Sequence, residues 1–364
     1  MNALSIPPDL RVWVEVDSAA IRHNAEFARR RGGAPLIAVV KANAYGHGVE
    51  VAVRALRDVA ELFAVANVEE AAAVRALAPE KDVLLLSPCL PGERAAAMAA
   101  NCIATVSSAA EAREFAGGRV SLKVDSGMGR IGVWHEEVLA EIAALTQAPG
   151  VTLHSVATHL PTPDEDAAFT RGQLTGFTDL AARVRKIAPD VRFHALNSAG
   201  VLVYSEFAFD FVRVGLMLYG SAPIPDFQAD LRPALTWKTR VLLVRDVPAG
   251  RSVSYGRTFI TPASMRLATL AMGYADGYPR QASNRGAQVL IGGQRCAVLG
   301  RVTMDQLVVD VSAVPEAAIG DEAVLVGAQG DETILAAELA AWGDTIAWNI
   351  FTGIGGRTKR MVNH

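Results

Sequence analysis

The chain has 364 residues, 51% hydrophobic and 20% charged, which suits a globular protein with one large domain and a smaller one and excludes a disordered or fibrous chain. Lys and Arg number 35 against 38 Asp and Glu, a formal net charge of -3, and no basic run could track a phosphate backbone, so nucleic acid is not an expected partner. No apolar run reaches the roughly 18 residues of a membrane span and the start lacks the basic and apolar regions of a secretory leader, so a cytoplasmic location is expected.

From Pro35 onward, short β-branched apolar runs alternate with Ala-rich or amphipathic segments, the pattern of repeated βα units around a parallel sheet. The runs are LIAVV (Leu36 to Val40), LFAVA (Leu62 to Ala66), VLLL (Val83 to Leu86), IATV (Ile103 to Val106), VSLKV (Val120 to Val124), VTLHSVAT (Val151 to Thr158), VRFHAL (Val191 to Leu196) and FDFVRV (Phe209 to Val214). Helical candidates such as ERAAAMAA and QLTGFTDLAARVRKIA lie between them. About eight strands in roughly 200 residues predict an α/β fold, a (β/α)8 TIM-type barrel, with an open doubly wound sheet as the other possibility.

After Tyr219 and Gly220 the texture changes. SAPIPDFQADLRPAL reads as a linker, and the runs VLLVRDV, RLATLAM, AQVLIGG, QLVVDV and EAVLVG, with one short helix near ILAAELAAW, predict a smaller, mostly β domain. The expected division is residues 1–230 for the barrel and 231–364 for the β domain. Cys89, Cys102 and Cys296 stand far apart without a Cys-x-x-Cys or paired-histidine companion, which favours buried free thiols over disulfides or a zinc site; no metal is expected.

In such a barrel, chemistry gathers where strands end. The first strand ends at Lys41, the fifth carries Lys123 and leads to Arg130, the sixth ends at His159, the seventh at Asn197-Ser198-Ala199-Gly200, and the eighth at Arg213 with Gly215 and Leu216 following. A lysine in an apolar site loses its proton more readily, because desolvation penalises the ammonium, and the neutral amine can attack an aldehyde or ketone. Lys41 therefore carries a carbonyl cofactor or substrate, or it is a rim residue paired with a carboxylate. A phosphorylated aldehyde would need small residues and backbone donors, and the Asn197–Gly200 and Gly215-Leu216 stretches lie where barrels often build phosphate sites.

Arg213, between Val212 and Val214, is either a salt-bridge partner in the barrel wall or a guanidinium facing a pyridine nitrogen, which it would keep unprotonated. His159 alone reads equally as a satisfied strand-end histidine. GMGRIG (Gly127 to Gly132) has the glycine spacing of a dinucleotide site but follows the fifth strand, and the segment about twenty residues on lacks the ribose-binding acid.

Taken together, AVVKANAYGHG (Ala38 to Gly48), KVDSGMGRIG, THL, NSAG, VRVGLMLYG, VSYGRTF, GYADGYPR and GRVTMDQ resemble, in family order and over nearly the whole chain, the alanine racemases, which use pyridoxal 5'-phosphate. The resemblance implies that Lys41 holds the cofactor and is the base for the D-enantiomer, while Tyr255 is the opposing base for the L-enantiomer. Two bases are needed because one removes the Cα proton and the other returns one from behind. The resemblance also places Arg130 and the Met304 backbone at the substrate carboxylate, though Met304 alone would be read as core. It puts Tyr45, Asn197, Ser198, Gly215 and Leu216 around the phosphate, and makes His159 the link between the tyrosine and a cofactor-bound Arg213.

Tyr274, Asp164 and Asp305 become supporting residues, the first two at the substrate entryway, and Lys123 matches a lysine that is carbamylated in some members. The alternative for Lys123 is an ammonium paired with Asp125. The family's tyrosine comes from a second subunit, which implies a head-to-tail homodimer, and the activity implies D-alanine supply for peptidoglycan or alanine breakdown. Where many members carry a pocket-narrowing tyrosine near the C-terminus, this chain has Gly355 and Gly356, so activity on serine beside alanine is expected. A decarboxylase of the same architecture would need a protonated ring nitrogen, against which Arg213 speaks. A non-catalytic pyridoxal phosphate carrier would lack the β domain.

Overall fold

The computed structural model describes residues 6–363, which divide into two compact units: Ile21–Arg232, and the residues through Ala20 together with those from Pro233 on. In chain order the strands are β1 (Val12–Asp17), β2 (Leu36–Val39), β3 (Ala60–Val65), β4 (Asp82–Leu85), β5 (Ile103–Val106), β6 (Arg119–Asp125), the short β7 (Val133–Trp134), β8 (Thr152–Ala157), β9 (Arg192–His194) and β10 (Val212–Val214). All but β1 and β7 line up as β10-β2-β3-β4-β5-β6-β8-β9, with every neighbouring pair parallel. A parallel bridge between His194 and Phe211 joins the end of β9 to the approach to β10, so the eight-stranded ring closes as the apolar runs predict.

Each of these strands is an apolar run because both of its faces are covered: all four residues of β2 and all four of β5 are buried. The helix Ala167–Val184 shows how the outer layer attaches. Asp166 caps it by accepting from the Phe169 N–H, and Leu174, Phe177, Ala181 and Val184 form its buried stripe.

The other unit is a mostly β sheet built on the 13-residue strand β11 (Leu235–Val247), whose first half alternates buried and half-buried residues. β11 pairs antiparallel with Glu322–Gln329 and Met265–Leu270. β1 pairs antiparallel with β11 and parallel with the C-terminal strand Lys359–Asn363. The expected assignment of residues 1–230 to the barrel is therefore corrected at its start. Trp13 and Val14 are buried within this second sheet, with Trp237 of β11, rather than in the barrel. The helical part is also larger than the single expected helix, comprising Ala336–Trp342 and Ala347–Gly353.

Candidate active site

β2 delivers Lys41, and the chain then makes a turn with no glycine in it. Ala42, Asn43, Ala44 and Tyr45 take φ values of 53, 52, 54 and 51°, a left-handed turn ended by Gly46. Each such residue costs roughly 1–2 kcal/mol relative to the right-handed form, so outside contacts must hold it. The Ala42 N–H donates to Glu70 Oε1 at 2.7 Å, and Asn43 Oδ1 accepts from the Val49 N–H at 2.8 Å. Tyr45 stacks on Tyr219 with centroids 5.0 Å apart, and the Tyr219 hydroxyl donates to the Val39 carbonyl at 2.9 Å.

The register Val212↔Leu36, Arg213↔Ile37, Val214↔Ala38 sets the end of β10 beside the end of β2. Arg213 is only 6% exposed and has no carboxylate partner among the described residues. Its Nη1 lies 2.6 Å from His194 Nδ1, and its Nη2 lies 3.0 Å from His159 Nδ1 and donates to the Thr158 carbonyl at 3.0 Å. A guanidinium offers donors only, so both ring nitrogens accept. Burial first, then Arg213, holds the His159 ring down to about 2 and the His194 ring well below its ordinary value. Burial lowers Arg213 itself to about 10, which leaves it charged at neutral pH. The salt-bridge reading of Arg213 is thus replaced by a cation among neutral acceptors.

Burial lowers the Lys41 amine, with Arg130 and Arg213 acting in the same direction and Glu70 opposing. Lys123 is lowered strongly by burial and by Arg213 and Arg130. Its pairing with Asp125 does not form, because that carboxylate accepts instead from the backbone N–H groups of Gly127, Gly129 and Arg130, each at 3.0 Å. Burial alone would raise Asp125, but these donors hold it below the ordinary range. They also wrap the loop that carries Arg130 around Asp125.

On the adjoining strand ends, Asn197 caps the helix Ser198–Val203 by accepting from the Gly200 N–H at 2.9 Å. Ser198 Oγ accepts from the N–H groups of Gly215 and Met217 at 3.2 and 3.4 Å. Leu216 begins a 3-10 turn directly after Gly215. A Cβ on Gly215 would collide with the Tyr45 hydroxyl, so glycine there is what admits the tyrosine.

The barrel unit therefore brings together Lys41, Tyr45, Lys123, Arg130, His159, Asn197, Ser198, Arg213, Gly215 and Leu216 at the carboxyl ends of its strands, while Asp164 lies in the exposed segment after β8. Tyr255, Tyr274, Met304 and Asp305 belong to the other unit. Tyr255 is 70% exposed on a turn entered through Ser254, whose hydroxyl donates to the Arg301 carbonyl at 2.5 Å. Met304 is 52% exposed rather than core, and its carbonyl accepts from the Ala275 N–H at 3.0 Å beside Tyr274. Asp305 pairs with Arg357 at 2.9 Å, and Arg357 also bonds Asp276, next to Gly355 and Gly356. Two residues of this site went unread in the sequence. His194 looked like part of a strand, and Glu70 stands three places after Asn67, a capping-box spacing that could have flagged it.

Residues 16–223 match the family description "Alanine racemase, N-terminal domain" and residues 234–362 match "Alanine racemase, C-terminal domain". The chain is 43% identical over 364 residues to an alanine racemase of Symbiobacterium thermophilum, covering 96% of each. A crystal structure of alanine racemase from Streptomyces lavendulae superimposes with a TM-score of 0.90 at 36% identity, covering 99% of this chain and 98% of that one. The alanine racemase of Bartonella henselae, whose structure has covalently bound pyridoxal phosphate, superimposes with a TM-score of 0.88 at 27% identity, covering 97% and 99%.

Proposed function

The chain belongs to the alanine racemase family, and from that membership we propose that it interconverts L- and D-alanine, with pyridoxal 5'-phosphate as cofactor and a second copy of itself as partner. The observation that carries the reading is Arg213, a buried cation with no acid beside it among the described residues, on the strand beside the one that delivers Lys41.

The residues fit the cofactor. Lys41 offers an amine with lowered basicity, Arg213 offers donors to a ring nitrogen, and Tyr45, Asn197, Ser198, Gly215 and Leu216 supply hydroxyl and backbone donors for a phosphate. When bound, the cofactor draws electron density from the substrate Cα, so that its hydrogen can leave as a proton. Arg213, a permanent cation, would keep a ring nitrogen held against it unprotonated, and so would favour prompt return of the proton over decarboxylation.

Lys41, once free of the cofactor, takes or gives the proton on the D face, and Tyr255 of the second copy does so on the L face. His159 accepts from Arg213 at Nδ1, so its proton sits on Nε2, from which it can donate to a phenolate oxygen. Arg130 and the Met304 backbone hold the substrate carboxylate, Tyr274 and Asp164 shape its entry, and Asp305 supports them. Supply of D-alanine for peptidoglycan and alanine breakdown both suit this chemistry.

The test is incubation with L-alanine in deuterium oxide, following optical rotation, Cα exchange and the visible spectrum. Loss of rotation together with deuterium at Cα is the expected result. A bound chromophore without exchange would overturn the racemase reading in favour of a carrier.

A further inference from the structure

The Glu70 carboxylate ties two strand-end loops together. Oε1 accepts from the N–H of Ala42, the residue after Lys41, at 2.7 Å, and Oε2 accepts from the N–H of Ala66, where β3 has just ended, at 2.8 Å. Glu70 is the third residue of the helix Val68–Leu77, and its own N–H donates to the capping Asn67 side chain at 2.9 Å. A glutamate in this place ordinarily reaches back to the N–H of the capping residue. Here one oxygen reaches one residue further back, to Ala66 just before the cap, and the other crosses to the loop after β2.

Ala42 opens the left-handed turn described above, whose four residues each sit in an unfavourable conformation. A charge-assisted hydrogen bond at its first amide is a direct means of holding it. The charges that act on the Lys41 amine are Arg130 from the loop after β6 and Arg213 from β10, which lower it, and Glu70 from the helix after β3, which raises it, while His159 after β8 is held neutral. Among the charges acting on Lys41, Glu70 is the acidic one.

We infer that Glu70 is a positioning residue for Lys41: its carboxylate anchors the left-handed turn that presents the amine, and its charge opposes that of Arg130 and Arg213. The inference rests on Lys41 being the cofactor lysine. Removing the negative charge lets burial and the arginines push the amine further down, so Lys41 should lose its proton at lower pH.

The experiment compares the full-length wild type with Glu70→Gln and Glu70→Asp. Amide hydrogen exchange at Ala42 and Ala66 is measured on the protein as purified. After hydroxylamine strips the cofactor, the pH dependence of Lys41 acylation is followed by mass spectrometry. Glutamine keeps one acceptor oxygen and loses the charge, so the acylation midpoint should move to lower pH and one of the two amides should exchange roughly tenfold to a hundredfold faster. Aspartate keeps the charge on a shorter stem, so the midpoint should stay near the wild-type value while Ala42 loses protection.

An unmoved midpoint in Glu70→Gln, or unchanged exchange in both variants, would overturn the inference. Neither readout uses turnover. A protein that did not racemise alanine yet showed the midpoint shift would sink the proposed function and leave the role of Glu70 standing.

Discussion

Arg213 Nη2 meets His159 Nδ1 at 3.0 Å, and because the guanidinium can only donate, the ring is neutral with its proton on Nε2. The folded ring is held down to about 2, whereas an unfolded histidine titrates near about 6.5. Between those values the unfolded chain binds the extra proton. Stability from this group is therefore full above about pH 6.5 and falls as pH drops below it, by about 1.4 kcal/mol per pH unit. His159→Gln, which keeps an acceptor for Arg213, should flatten the decline in urea-unfolding free energy between pH 6.5 and 5 by about that amount. A slope equal to that of the wild type would show that the ring titrates in the native protein much as it does in the unfolded chain.

Tyr255 stands exposed on its turn, as a group that acts on a second copy would. Tyr255→Phe should slow L-to-D conversion by about a hundredfold to ten-thousandfold, the usual reach of a positioned base. If Lys41 serves the D face as proposed, D-alanine should still exchange its Cα proton in deuterium oxide, and the visible absorbance of the cofactor should remain. Full racemase activity in this variant would remove the two-base assignment. Sedimentation should show a dimer, and mixing Lys41→Ala with Tyr255→Phe chains should restore part of the activity through one intact composite site.

The barrel strands were legible because a parallel strand covered on both faces must be a continuous apolar run, and a charge inside or at the end of such a run stands out, as Lys41 and Arg213 do. β1 was not legible as part of the second sheet. VWVEVD is a plausible strand anywhere, and its partners, β11 and Lys359–Asn363, lie at the far end of the chain. The left-handed turn after Lys41 gave no signal, since Ala42, Asn43, Ala44 and Tyr45 include no glycine and their conformation is imposed by contacts from Glu70 and from the ring of Tyr219. Glu70 carries a local capping-box spacing, but its bond to the Ala42 amide, like the bond of His194 to Arg213, depends on groups that only the closed barrel brings together.

Gly215 admits the Tyr45 hydroxyl where a Cβ would collide with it. Gly215→Ala should displace that ring and weaken cofactor binding at least about tenfold, the worth of one hydrogen bond to a charged group. Titrating cofactor-free protein with pyridoxal 5'-phosphate measures this directly. An unchanged dissociation constant would mean that neither Tyr45 nor the Gly215 amide touches the phosphate.

Lys123 makes no hydrogen bond or ion pair among the described residues, and its basicity is strongly lowered by burial and by two arginines. A neutral amine so placed can attack carbon dioxide. The nitrogen–carbon bond forms, the amine proton leaves, and the resulting carbamate is an anion facing Arg130 and Arg213. Protein equilibrated with 13C-bicarbonate should show one carbamate carbon resonance that is absent from Lys123→Met. Racemase activity in that variant should fall, chiefly as a higher KM for alanine if the carbamate orients Arg130.

Gly356 differs from its neighbour in having open space where a Cβ would be, whereas a Cβ on Gly355 would press on the Ala275 and Asp276 carbonyls. Both lie beside Arg357, which is fixed by Asp276 and Asp305 next to Met304. A side chain at 356 would thus enter open space, and because the family resemblance puts a pocket-narrowing tyrosine in this region, that space is expected to belong to the substrate pocket. Serine adds one hydroxyl to alanine, and a pocket that merely has room rejects such an addition weakly, by about a hundredfold or less. The wild type should therefore turn over serine, and an alanine preference above about a thousandfold in kcat/KM, roughly 4 kcal/mol, would contradict the roomy pocket. Gly356→Tyr should lower kcat/KM for serine by about tenfold or more while changing that for alanine far less, because filling the space penalises only the larger substrate. Equal losses for both substrates would show that the ring blocks entry, and no change for either would place residue 356 outside the pocket.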